Sequence, residues 1–204
     1  MDTALKFKYL KCLNRLQGKD YLAATISFGA APTIKGKKPA SLLAFTLWRK
    51  NLLALWHHYK EELCRELDLE FFELRDGLES AIVLFYRKKM LEKHIALERN
   101  QSFLDSAGYQ EAVALEEKLQ LLKERFACTC THEVGIFLGI PVDDVVGFVE
   151  NKGKNYLLCR YWKVYQNRKR AELLFKIYDE ARSNIASAVV SRSERINPEA
   201  VMQL

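Results

Sequence analysis

The residues best suited to chemistry crowd into one stretch, 132–165, which reads HEVGIFLGIPVDDVVGFVENKGKNYLLCRYWKVY. Anion binding is the first chemistry it could support. Glycine lets backbone N–H groups approach a phosphate closely, and lysine adds a point charge. Two Gly-Lys loops have that make-up. One spans 33–38, with Lys37 and Lys38 following Gly36; the other spans 150–155, with Lys152 and Lys154 flanking Gly153. In the second loop Glu150, Asn151 and Asn155 would orient a ligand, and Trp162 or Tyr161 would offer a stacking face. Adjacent strand residues point to opposite sides, so only one of those two rings can serve a given pocket. A mechanical reading competes, in which Glu150-Asn-Lys-Gly ends a helix at Gly153 and starts a strand. The first loop is not a P-loop, because six residues separate Gly29 from Gly36 and Lys37 is followed by Lys.

Metal binding is the second. Cys128, Cys130 and His132 form a C-x-C-x-H cluster, and Cys159 would complete a Cys3His set of the kind tetrahedral zinc accepts. The C-x-C spacing is shorter than usual for zinc, and His132-Glu133 lacks the second His of H-E-x-x-H. Free thiols beside a helix-entry histidine explain the same residues. Proton transfer is the third, with His132 and Glu133 as candidate catalytic groups. The chain has no G-x-S-x-G and no Cys/His active-site signature.

The segment 133–150 also has the cadence of a helix-turn-helix, with a Gly-Ile-Pro turn at 139–141. Its second helix would open on Asp143-Asp144, which repels phosphate, and offers no Arg, Lys, Asn or Gln before Asn151. The alternative function is an interaction or regulatory module built on this helix-turn-helix-like segment 133–150, with nucleic acid touched through the basic loops as one form of it. The two acids suit a helix N-terminus on structural grounds.

These residues must be positioned by a chain of 204 residues, 49% hydrophobic and 28% charged, enough for one domain with a sizeable core. The net charge of +6 permits a polyanionic partner without requiring one. No apolar run approaches the roughly 18 residues of a membrane helix, and the N-terminus reads as an amphipathic helix, not a signal peptide. A cytoplasmic protein with its five cysteines as free thiols is the expectation.

Apolar spacing predicts helices over 3–16, 52–66, 88–97, 100–108, 110–126, 133–138, 143–150 and 168–188. Alternation or β-rich composition predicts strands over 21–28, 69–74, 80–86 and 156–165, with the middle two paired antiparallel across Arg75-Asp76-Gly77. Residues 29–39 read as a loop, 40–47 as ambiguous, and 191–204 as a flexible tail. The sum is an α+β domain over 1–190, with a mainly antiparallel sheet of about four strands packed by several helices.

The 132–165 block, with its HE-x-G-x-FLG-x-P-x-DDV-x-GF-x-ENKGKN core and C-x-YWKVY end, resembles the signature of the bacterial domain of unknown function 3793 family. The segment 31–42, AP-T-x-x-G-x-KPASL, is similar to that family's N-terminal block. The resemblance spans roughly 5–182 and implies a soluble bacterial protein with no assigned activity. The family often carries Cys before the Ala-Pro pair, where this chain has Ala30, and Gly before the Tyr-Trp pair, where it has Arg160. The reading that results is binding of a small anionic ligand or cofactor at the two Gly-Lys loops.

Overall fold

A computed structural model describes residues 1–128 and 131–196, with the side chains of Arg49, Cys128 and Ile196 left aside. Its centre is a three-stranded antiparallel sheet in the order β1-β3-β2, built from β1 (Ala40–Thr46), β2 (Glu70–Asp76) and β3 (Ser80–Tyr86). The middle strand β3, SAIVLFY, is apolar almost throughout because both of its faces are covered. On one face Val83 and Phe85 meet Phe45, Trp56 and Leu63, the last two from α4 (Trp48–Glu66). On the other, Leu84 and Tyr86 join Leu91 of α5 (Lys88–Ile95), Leu104 of α6 (Glu98–Ser106) and Leu119 and Leu122 of α7 (Leu115–Cys128). The α+β expectation holds, with three strands in the main sheet and two more in a small hairpin.

Two predicted strands are corrected. Residues 21–28 lie in α2 (Gly18–Gly29), not in a strand. This helix is covered on more than one side: Leu22 and Ile26 face α4 and β1, while Phe28 stacks on Tyr9 of α1 (Thr3–Arg15) at 4.7 Å. A helix buried on two faces loses its 3.6-residue polar stripe, and the remaining polar positions mimic alternation. Thr25 fits because its hydroxyl donates to the Tyr21 carbonyl at 2.8 Å. The run 29–39 is not all loop, since α3 (Ala31–Ile34) forms a short turn of helix within it.

The second correction concerns 156–165. Two two-residue strands, β4 (Leu158–Cys159) and β5 (Lys163–Val164), form a hairpin, and Arg160-Tyr161-Trp162 make the turn between them. The aromatic residues that suggested one long strand are there to pack. Trp162, Phe175 and Tyr178 form a cluster joining the turn to α10 (Arg168–Ile196). That helix runs into the region expected to be a tail, and Val190 packs with Tyr9 and Ala186; residues 197–204 lie outside the described set. No helix among the described residues is long and apolar enough to cross a membrane.

Candidate functional site

The 132–165 block folds as α8 (Val134–Phe137), a turn, α9 (Val142–Glu150) and the β4–β5 hairpin. Gly139 makes the turn at φ +74, a conformation that side chains rarely adopt, and a Cβ there would stand 2.7 Å from Pro39. Pro141 caps α9 with its extended backbone. Gly135 brings α8 onto Val145, and Gly147 brings α9 onto Tyr165, where an added Cβ would sit 2.5 Å from the tyrosine Cβ.

Asp144 locks this arrangement. One carboxylate oxygen accepts from the Trp162 indole N–H at 2.7 Å, and the other accepts from the backbone N–H groups of Tyr165 at 2.7 Å and Gln166 at 3.0 Å. The sequence reading gave Asp143 and Asp144 a shared helix-dipole role; the structure separates them. Asp143 pairs with Arg99 of α6, whereas Asp144 is buried and holds the hairpin against α9. A bare Asp-Asp pair carries no signal that distinguishes the two.

Between α8, α9 and the hairpin lies a pocket of about 360 Å³, within the size range of small-molecule sites. Val134, Leu138, Ile140, Val145 and Phe148 make its apolar floor, and Tyr161 and Trp162 wall it. Its rim carries Thr131, His132, Cys159, Arg160 and Lys163. Both aromatic residues of the YW pair line it, which the alternation of a strand would have forbidden and a turn allows. Lys163 spends one donor on the Gly153 carbonyl at 2.7 Å and lies 5.6 Å from the Phe148 ring centre. Arg160 donates to Asp179 at 2.7 Å. His132 is exposed, with its ring 5.4 Å from that of Phe148. The Thr131 hydroxyl is buried and has no hydrogen-bond partner among the described residues, a condition that is uncommon and calls for a cause. Burial pushes the Tyr161 phenol up to about 12, so it stays neutral and donates to Asp179 at 2.9 Å.

Of the residues nominated from sequence, His132, Cys159 and Trp162 meet at this pocket. Glu133 does not: it is buried on the other side, accepting from Arg125 Nε at 2.6 Å. Neither Gly-Lys loop lines this pocket. In the second, the N–H groups of Lys152, Gly153 and Lys154 donate to Val149, Phe148 and Asn151, and the Asn151 amide donates to Gly147. In the first, the N–H groups of Lys35, Gly36 and Lys37 donate to Ala31, Thr33 and Pro32. Backbone donors committed to helix ends cannot cradle a phosphate. Glu150, Lys152, Lys154, Asn155 and Lys37 are exposed, while Lys38 turns toward α10, with its amine 5.9 Å from the Tyr178 ring centre.

The helix-turn-helix cadence is real, but α8 has four residues and α9 is embedded. Asp144, Val145 and Gly147 are buried, and its most exposed residues are Val149 and Glu150. For metal, no group of three or more His, Cys, Asp or Glu residues gathers among the described residues. Cys130 and the Cys128 side chain lie outside that set. A larger hollow of about 670 Å³ opens beside Cys64. It is lined mainly by charged side chains of both signs, with Arg87 paired to Asp68 and Lys88 to Glu116, and burial pushes the Cys64 thiol up to about 12. The smaller pocket is the better candidate because Lys163 and His132, which make no ion pair among the described residues, border an apolar cavity.

No curated protein and no solved structure matches the chain. A family model described as a protein of unknown function, DUF3793, matches residues 26–197, a span that holds every element of the pocket, and the chain belongs to that family.

Proposed function

We propose that this protein binds a small anionic ligand or cofactor with a flat apolar body in the pocket between α8, α9 and the β4–β5 hairpin, in the cytoplasm of a bacterium. The observation that carries the reading is the pairing of an apolar floor with a rim of Arg160, Lys163, His132 and the Thr131 hydroxyl, which has no partner among the described residues. The Tyr161 and Trp162 rings would offer a planar ligand a stacking surface. Lys163 keeps two ammonium donors for an anionic substituent. His132 is the group that would move a proton if the bound molecule reacts. Nucleic-acid binding is less well supported, because α9 presents no basic or amide side chain outward.

Cys159 makes the test direct. Its thiol is free, exposed and part of the pocket rim, whereas Cys12 on α1 serves as an internal reference. Iodoacetamide labelling of desalted protein would be followed by mass spectrometry with and without the ultrafiltrate of the host lysate. The ultrafiltrate is expected to slow labelling at Cys159 and not at Cys12, and the Lys163→Met variant is expected to lose that protection. Equal labelling of Cys159 under all conditions would overturn the reading.

A further inference from the structure

Behind the pocket wall stand two cations whose environment the pocket does not explain. The Arg182 guanidinium lies 4.8 Å from the Tyr161 ring centre and 5.6 Å from that of Phe28. The Lys38 amine lies 5.9 Å from the ring centre of Tyr178, which meets Tyr161 edge-on at 5.3 Å. The two positive groups thus sit on adjoining rings. Neither pairs with an acid among the described residues, and Arg182 Nε is buried without an acceptor. Of the two acids nearest Arg182 in sequence, Glu180 is exposed and makes no ion pair with it, and Asp179 is already engaged by Arg160 and Tyr161.

Burying charge without a counter-charge is unfavourable, and placing two like charges together adds to the cost. Ring faces attract cations but accept no conventional hydrogen bond from a guanidinium or an ammonium group. The strain shows at Lys38, where burial, and then the nearby Arg182 charge, push the amine down to about 8. Both residues are half-buried and not sealed within the core.

We propose that Lys38 and Arg182 form a second site, which takes a phosphate-sized oxyanion. A tetrahedral oxyanion offers enough acceptors to take donors from a guanidinium edge and an ammonium group at once. Neither residue lines the α8–α9 pocket, with which the site shares only the Tyr161 ring. The site therefore stands or falls independently of the ligand proposed above.

Inorganic phosphate is the probe. Thermal unfolding would be followed in phosphate and in sodium chloride of equal ionic strength for the wild type, Lys38→Met, Lys38→Arg and Arg182→Gln. General salting effects are common to all four and subtract out. At a phosphate concentration roughly ten times Kd, wild type should gain about 3–6 °C over Lys38→Met. Lys38→Arg should keep the gain and Arg182→Gln should lose it. In chloride, Lys38→Met should be at least as stable as the wild type, since it removes a buried unpaired charge. A phosphate response that is absent in the wild type, or equal in wild type and Lys38→Met, would overturn the proposal. Should Arg182→Gln fail to fold, the two Lys38 variants decide it.

Discussion

Replacing Asp144 with alanine tests the joint on which the pocket depends. The substitution leaves the Trp162 indole N–H and the amides of Tyr165 and Gln166 without their acceptor. A buried donor left unsatisfied costs about 1–3 kcal/mol. The three costs do not simply add, because Gln166 is exposed and water can replace part of its bond. The expected loss is therefore about 3–5 kcal/mol, a large share of a total stability of about 5–15 kcal/mol. Urea unfolding followed by tryptophan fluorescence and by circular dichroism would measure it, and the melting temperature should fall by roughly 6–20 °C. Asp144→Asn should be intermediate, since its amide oxygen still accepts while its NH2 group meets at least one of the same donors. Alkylation of Cys159 should also quicken in both variants, because the hairpin that holds it is loosened. A loss below about 1 kcal/mol for Asp144→Ala would mean that the carboxylate does not secure the hairpin, and the derivation of the pocket from that joint would be wrong.

Gly147→Ala gains helix propensity yet places a Cβ 2.5 Å from that of Tyr165; urea titration should show a net loss of about 1–3 kcal/mol, and a stabilised variant would contradict the close approach. Burial pulls the pKa of His94 below its usual value, although the Ile136 backbone bond opposes the shift. The unfolded chain therefore takes up that proton first, so the His94 contribution is intact above about pH 6.5 and is lost as pH falls through the depressed value. Proton NMR should place His94 lower in the folded chain than in the urea-unfolded chain, and the reverse order would refute the assignment. The Cys64 thiol, pushed up to about 12 by burial, should resist iodoacetamide at neutral pH until urea unfolds the chain, whereas Cys159 reacts at once. Peptide mapping before and after unfolding distinguishes them.

The elements easiest to read from sequence were those with one buried face. Leu52, Leu55, Trp56, Tyr59 and Leu63 mark the inner side of α4, and the β2–β3 pair announces itself through its composition and Gly77, although Arg75 and Asp76 belong to β2 and the turn lies at 77–79. Reading failed where burial was two-sided or an element was very short. The helix α2 reads as a strand in the sequence because packing on α1 and α4 erases its polar stripe. The hairpin at 158–164 was mistaken for one strand because its turn is made of Arg, Tyr and Trp with no Gly or Pro to mark it. The glycines of the site were visible, but their partners were not: Gly147 needs Tyr165, and Gly139 needs Pro39, one hundred residues away. The same holds for charge. Lys38 stood out in its loop, yet its neighbour Arg182 lies on the last helix, and no local pattern links them. The Gly-Lys loops resembled anion cradles by composition, while the structure shows their amides committed to ending α3 and α9.

The measurement that bears most directly on the central claim is native mass spectrometry of the protein isolated from its own host by gentle purification, set beside the denatured mass. A small molecule held in the α8–α9 pocket predicts a retained non-covalent mass in the wild type, released on denaturation and lost in Lys163→Met. The bare chain mass in the wild type, or a retained mass that Lys163→Met holds equally well, would contradict the claim that this pocket is the ligand site.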